Sequence, residues 1–418
     1  MRRVRILAFA YACEPMAGSE PGAGWVWARM LAQLGETWVI TRANNRAAVE
    51  AGLEGLPERD RIHFVYADLP GWARFWKRGQ RGVRLYYLLW QACALRAGRR
   101  LHRRLDFDLT WHVTMANAWL GSLAPLVGPP FVYGPVGGAL RPPYSLIRDL
   151  GWAGGCRELA RATARTLGRS LNPLARLAWR RARLILVQNS ETRDWLPGRH
   201  APKAVVFPNV VLDEHLAPAR LRSPGGSTAL FAGRLLPFKG ASIALRTLAA
   251  LPGWRLLVAG AGPDQARLMR MALRLGVEDR VEFLGWVGRP EILRLMSEEA
   301  DVLLFPSLRE DAGWVVAEAA ACGLPVVSLD RGGPKVLGTV GVTPRGRDAT
   351  VAALAAAVPL SRDGAPPPVP GFAASLRRLV SLLETSGWAP APAVTLVDAP
   401  AVAREETEAP CGAGGSGR

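Results

Sequence analysis

Short apolar runs rich in β-branched residues alternate with amphipathic stretches along nearly the whole chain. This alternation restricts the fold to parallel strands joined by crossover helices. The strand-like runs are residues 4–10, 38–41, 62–67, 109–114, 131–134, 184–188 and 204–208, with helical stretches such as 25–34 between several of them. Residues 212–227, LDEHLAPARLRSPGGS, lose the periodicity and gather Pro, Gly and Ser, which marks a linker. The pattern then restarts, with strands at 228–232, 254–259, 281–284, 301–305 and 325–329 and helices at 241–250 and 264–275. The simplest architecture is α/β, with two doubly wound, Rossmann-like domains facing a cleft, one over 1–211 and one over 228–358. Residues 359–371 are Pro-rich, 372–386 form one amphipathic helix, and 387–418 lack periodicity and read as a disordered tail.

A chain of 418 residues is too long for one compact core and suits two domains. The five cysteines are far apart and form no C-x-x-C pair, so neither a zinc site nor a disulfide framework is expected. A reduced, cytoplasmic setting follows. The basic, apolar start, MRRVRILAFAYACEP, leads into a Gly-rich turn and a helix, so it reads as a first strand rather than a signal peptide. No run approaches the ~20 apolar residues needed to span a bilayer. The net charge is +18, and it is unevenly placed: residues 1–186 hold 28 Lys/Arg against 12 Asp/Glu, and the rest 25 against 23.

Three segments carry candidate chemistry. In FPSLREDAGWVVAEAAACGLPVVSLDRGG, residues 305–333, a strand ends, a loop follows and a helix opens near Gly313. Ligands of such sheets bind beyond the strands' carboxyl ends, where a helix N-terminus favours phosphate. Glu310 falls in the loop and Glu318 on the second helical turn, where it can accept hydrogen bonds from ribose hydroxyls. In FAGRLLPFKG, residues 231–240, Arg234 and Lys239 follow a strand and suit a diphosphate. Lysine is one of only four in the chain, which gives Lys239 more weight than a lone arginine. In CEPMAGSEPGAGW, residues 13–25, Gly18, Gly22 and Gly24 allow close backbone approach. Without further glycine spacing they make no dinucleotide fingerprint, and Glu20 beside them suits a hydroxyl-bearing ligand equally well. His112 ends the fourth strand, either facing the cleft or hydrogen-bonded in the core. Asp106 and Asp108 form an Asp-x-Asp at that strand's far end and read as loop residues.

Together these segments resemble the retaining, metal-independent GT-B glycosyltransferases, and especially their family 4, over roughly residues 4–338. The family's Glu-x7-Glu pair falls on Glu310 and Glu318, its donor-diphosphate Arg and Lys on Arg234 and Lys239, its first-loop glycines on Gly22 and Gly24, and its mid-domain histidine on His112. The first-loop run, with YGPVGGAL at 133–140, is similar to one bacterial branch. The resemblance implies an acceptor-binding first domain and a nucleotide-sugar-binding second domain. It implies that Glu318 binds the ribose and Glu310 the transferred sugar, and that backbone N–H groups around Gly313 and Trp314 hold sugar hydroxyls. Arg234 and Lys239 would neutralise the leaving diphosphate, the role a metal fills in other sugar transferases. No cofactor beyond the nucleoside-diphosphate-sugar donor and no metal is then expected. The sequence departs from the family where an Asn-Gly-Val-Asp is usual: here Asn209-Val210-Val211-Leu212-Asp213 stands. Residues 372–386 are the candidate for the helix that crosses back to the first domain.

The expected partners are the nucleotide-sugar donor, a saccharide or lipid-linked acceptor and an anionic membrane surface. Residues 69–105 contain ten Lys/Arg and no acid, with Trp72, Phe75, Trp76, Tyr86, Tyr87 and Trp90 among them. Residues 157–183 add eight basic residues against Glu158 alone. Basic residues near an anionic leaflet contribute ~1 kcal/mol each, and aromatics settle at its interface. The first domain is therefore expected to dock peripherally on the inner face of the membrane, with polysaccharide biosynthesis as the setting. Two rival readings are an epimerase on the same fold and a non-catalytic nucleic-acid-binding protein. The first lacks added acid and base groups, and the second lacks a recognition motif or stacking series.

Overall fold

The computed structural model describes residues 3–15, 17–73, 82–115, 117–212, 226–362, 364–368 and 371–388. Most of the expected linker, the tail from 389 onward, and Arg74, Phe75, Trp76, Lys77, Arg78 and Arg81 lie outside the described residues.

The strands of the first sheet are β1 (Arg5–Phe9), β2 (Glu36–Thr41), β3 (Ile62–Tyr66), β4 (Leu109–His112), β5 (Phe131–Val136), β6 (Ala182–Val187) and β7 (Ala204–Val206). They pair in parallel in the order 3-2-1-4-5-6-7. The second sheet contains β8 (Thr228–Ala232), β9 (Arg255–Ala259), β10 (Val281–Gly285), β11 (Val302–Phe305), β12 (Val326–Leu329) and β13 (Val340–Val342), in the order 10-9-8-11-12-13. Helices α1 (Ser19–Leu34), α2 (Arg46–Leu53), α3 (Val83–Leu105), α4 (Gly151–Leu171), α5 (Pro173–Arg181) and α6 (Ser190–Trp195) belong to the first domain. Helices α7 (Ala241–Ala249), α8 (Gln265–Leu275), α9 (Arg289–Arg294), α10 (Trp314–Ala321), α11 (Gly332–Val336) and α12 (Arg347–Ser361) belong to the second, and α13 (Phe372–Thr385) follows. Both sheets reverse their winding beside their first strand, between β1 and β4 and between β8 and β11. The loops after those strands part there and leave a crevice at the carboxyl edge.

Strands covered on both faces read as unbroken apolar runs. TALFA in β8 and VLLF in β11 are buried at every position. The first sheet divides its core into two apolar clusters, one on each face, and the second domain has one. Leu376, Leu379 and Leu383, spaced by three and four, form one stripe on α13. They are buried with α1 residues in the first domain's core. Each such Leu contributes ~1.5–3 kcal/mol by leaving water. Arg29 on α1 lies over the Phe372 ring at 5.1 Å, and Arg378 donates to the Val206 carbonyl at 2.7 Å. The chain thus ends its described course on the first domain.

Polar ties close the interdomain contact. Asp149 is buried and receives Arg347 Nε at 2.9 Å, with Arg246 at 3.7 Å. Gly138 donates its N–H to Asp311 Oδ1 at 3.0 Å, and Gly332 donates to Glu191 Oε1 at 2.9 Å. Leu146 and Leu150 of the first domain sink into the second domain's core.

Candidate functional site

The carboxyl ends of β8, β9, β10 and β11 open into a cavity of about 300 Å³. The loop after β8 brings Arg234 and Lys239, and the loop after β11 brings Glu310. Helix α10 brings Trp314 and Glu318, the segment after β10 brings Trp286 and Val287, and Gly18 and Ser19 close the far side. Four of the charged residues singled out in the sequence, Arg234, Lys239, Glu310 and Glu318, therefore line one pocket. Lys239 Nζ meets Glu310 Oε2 at 2.5 Å. Arg234 is exposed and its guanidinium has no polar partner among the described residues. Glu318 is 9% exposed and accepts from Arg289 Nε at 2.9 Å. Burial lifts its carboxyl above the ordinary value, and the Arg289 charge pulls the other way.

Gly313 sits at φ +89° as the residue before α10, in the left-handed region that favours glycine. Its N–H points at Glu310 Oε1, 3.3 Å away, so the helix N-terminus and the loop acid are tied together. Trp314 lines the pocket and packs on apolar clusters of both domains.

Two expectations for the first domain are corrected. Gly22 and Gly24 are not in a ligand-facing loop. Helix α1 starts at Ser19, with Pro21 tolerated in its first turn, so both glycines are helical and buried. A Cβ on Gly22 would lie 1.9 Å from the Ala17 carbonyl oxygen, and one on Gly24 would lie 2.0 Å from that of Ala12. They are small because the preceding loop packs on the helix. Gly18 and Ser19 are the residues of that segment that reach the pocket. His112 does not line the pocket. It is fully buried, with Nε2 at 2.9 Å from Tyr87 Oη and Nδ1 at 2.5 Å from Ser122 Oγ, so both ring nitrogens are engaged. Burial lowers its pKa to about 4, so it is a neutral core histidine above that pH. The interleaved aromatics are also corrected in part. Tyr86, Tyr87 and Trp90 lie in the core, and Trp72 alone of the described ones is exposed. Asp108 accepts from the Arg5 backbone N–H at 2.8 Å, at the edge of the sheet away from the cleft.

A second, smaller cavity of about 200 Å³ lies between the domains, lined by Glu20, Asn117, Gln188 and Asp311 among others. Glu20 accepts from the Met115 N–H at 3.0 Å, and burial raises its carboxyl above the ordinary value. Sequence reasoning noted Glu20 but missed Asp311 and Arg289. Asp311 was legible only as the residue after Glu310, and nothing local marks Arg289 as the partner of Glu318, 29 residues away.

The whole-chain likeness to solved structures is to two-domain sugar transferases. An Anabaena HepE solved with UDP and glucose superposes with a TM-score of 0.52 at 18% identity, covering 92% of this chain and 100% of that one. A sucrose-phosphate synthase from Thermosynechococcus elongatus gives 0.57 at 16% identity, covering 92% and 96%. At such identities the likeness shows the fold, and this protein has the GT-B architecture. Within that fold, residues 216–345 match the model of Glycosyl transferases group 1. The D-inositol 3-phosphate glycosyltransferase of Mycolicibacterium paratuberculosis is 38% identical over 178 residues, 38% of this chain and 40% of that protein. That of Mycolicibacterium smegmatis is 42% identical over 120 residues, 27% of each. The chain spans two-fifths or less of the length of these curated relatives.

Proposed function

We propose that the protein is a retaining, metal-independent glycosyltransferase that moves a sugar from a nucleoside-diphosphate donor to an acceptor held against the first domain. The observation that carries this reading is the single pocket holding Arg234, Lys239, Glu310 and Glu318 at the carboxyl edge of the second sheet. The Anabaena neighbour solved with UDP and glucose supports a nucleotide-sugar donor for the same fold. Glu318 accepts from the ribose diol, with Arg289 holding the carboxylate in place. The exposed Trp286 and the apolar Val287 and Ile292 offer the base a stacking wall. Arg234 and Lys239 meet the diphosphate. As Lys239 turns toward phosphate, Glu310 is released to accept sugar hydroxyls. The two cations then stabilise the charge that grows on the departing diphosphate, where preorganised charge lowers the barrier most. The acceptor hydroxyl attacks the face from which the diphosphate leaves, so retention needs no protein nucleophile.

We place the acceptor in the interdomain cavity around Glu20 and Asp311 and propose a saccharide or lipid-linked compound, in polysaccharide biosynthesis. Docking on an anionic inner leaflet is supported by the outer faces of α3 and α4. Trp152, Leu159, Leu167 and Leu171 on α4 and Leu85 and Leu89 on α3 are exposed beside the arginines. No helix among the described residues is long and apolar enough to cross a membrane. Isothermal titration with UDP, GDP and ADP tests the donor assignment. One of them should bind to the wild type and bind at least tenfold more weakly to R234A/K239A. Equal affinity for the two proteins refutes the pocket.

A further inference from the structure

A third cavity, of about 420 Å³, shares a wall with the donor pocket. The two are divided by consecutive residues. Lys239 and Glu310 line the donor pocket, while their neighbours Phe238 and Arg309 line the other. Across from Arg309 stands α4. Arginines at 157, 161 and 165 recur every four residues on it, which sets them on one helix face. Arg157 and Arg161 line the cavity, and Arg84 of α3 closes it.

This charge is poorly matched from within. Within this cavity's lining Arg84, Arg157, Arg161 and Arg309 outnumber the one carboxylate, Glu158, while Asp311 acts on Arg161 from the adjoining cavity. Arg309 Nη1 lies 3.3 Å from Glu158 Oε2 but forms no hydrogen bond, and neither does Glu158 Oε1. Arg161 gives one N–H to the Gly138 carbonyl at 3.0 Å, and its Nε is buried with no partner. Burial and then the nearby Arg309 charge lower the Arg161 pKa to about 10. Arg309 lies over the Phe238 ring, its guanidinium carbon 4.2 Å from the centroid, a cation–π contact that limits how far its fork can swing. Half-buried guanidinium groups with unused N–H donors are complementary to a tetrahedral oxyanion, which can engage several forks at once. Arg84 and Arg161 also line the polar cavity of Glu20, Asn117 and Asp311, so the charged and the hydroxyl-binding regions are continuous.

We infer that this cavity is a second anion site, built from Arg84, Arg157, Arg161 and Arg309, which binds the phosphate of a phosphate- or diphosphate-bearing acceptor whose sugar hydroxyls lie in the adjoining polar cavity. The inference rests on the proposed glycosyl transfer and names the acceptor's chemical class. Its phosphate belongs either to a soluble sugar phosphate or to a lipid headgroup.

The test is calorimetric titration of the full chain with inorganic pyrophosphate at low ionic strength. R234A/K239A removes the donor's diphosphate site and should leave pyrophosphate binding at the arginine site. Adding R161Q/R309Q to that background should weaken the remaining binding at least tenfold. Adding the exposed pair R84Q/R157Q should weaken it several-fold without risk to folding, and adding E158Q should tighten it. R270Q/R274Q on the far helix α8 should change nothing. The inference is overturned if R234A/K239A alone abolishes pyrophosphate binding, or if residual binding ignores both arginine pairs. If nucleoside diphosphate affinity is untouched by R234A/K239A while the R161Q/R309Q effect persists, the donor reading fails and the anion site stands. Phosphatidylcholine vesicles with and without phosphatidic acid identify the source. Retention that needs phosphatidic acid and Arg161 with Arg309 assigns a lipid phosphate. Competition by glycerol 1-phosphate without retention assigns a soluble one. Neither response overturns the site.

Discussion

The two domains share one winding but use charge differently. Around the donor pocket, the second domain pairs its charges across short distances, Lys239 with Glu310 and Arg289 with Glu318, while Arg234 stands open. The first domain carries the excess: 28 Lys/Arg against 12 Asp/Glu up to residue 186, much of it on α3 and α4. A compact, paired site suits one constant ligand that must be held with its reacting bond in place. An unpaired basic surface suits a partner that brings its own negative charge. The family match at 216–345 falls mainly on the second domain.

Substitutions confined to one half break or sharpen this contrast. The largest effect is expected from K239A. Removing a charge aimed at the leaving group lowers kcat by about 10²–10³-fold, with little loss of stability because Lys239 lies at the pocket edge. A kcat within threefold of the wild type would take Lys239 out of the chemistry. E318A comes next. A hydrogen bond to a charged group contributes ~1.5–3 kcal/mol, so donor affinity should fall about tenfold to a hundredfold. Undiminished affinity in a folded E318A would remove the acid from the site.

On the first-domain side, His112 is expected to govern stability rather than rate. Its folded pKa of about 4 lies below the ordinary 6.5. The folded state therefore prefers the neutral ring, and this contribution is present above pH 6.5 and lost as pH falls toward 4. Roughly 3 kcal/mol is at stake, from 1.36 kcal/mol per pKa unit. Chemical denaturation from pH 7 to 4 should show H112Q flatter than the wild type over that window. Identical slopes would contradict the assignment. Smaller still is the membrane effect. Retention by anionic vesicles at low salt should weaken as salt rises and fall severalfold when the exposed Arg99, Arg100, Arg103 and Arg104 are neutralised. A protein that stays in the supernatant at low salt would point to a soluble acceptor. The smallest expected effect is none: EDTA should leave turnover unchanged. Loss on chelation with rescue by Mg²⁺ or Mn²⁺ would show that a metal, rather than Arg234 and Lys239, carries the diphosphate charge.

The sequence made the second domain legible because its central strands β8, β11 and β12 are buried on both faces and its charged site residues follow β8 and β11 directly. TALFA and VLLF announce β8 and β11, and Arg234, Lys239 and Glu310 come within seven residues of a strand end. The first domain hid more. Pro21 disguised the start of α1, so two glycines that fit loop against helix read as ligand contacts. His112 was ambiguous because a strand-end histidine can face either way, and only tertiary packing supplies Tyr87 and Ser122. In α3 the buried Tyr86, Tyr87 and Trp90 share a helix with exposed arginines, and composition alone merged the two faces into one surface patch. VGV in β13 is too short, and too exposed at Val340 and Gly341, to stand out. The 161–309 arrangement joins residues nearly 150 apart, which no local pattern reports.

The most direct measurement is turnover of a panel of labelled nucleoside-diphosphate sugars by the purified full chain, scoring released nucleoside diphosphate and the anomeric configuration of the product. The account predicts that at least one donor is consumed, by transfer or slow hydrolysis, that the product keeps the donor's configuration, and that K239A loses the activity. Inverted product, an epimerised nucleotide sugar, or no consumption of any donor in the presence of phosphate-bearing and neutral acceptors would contradict it.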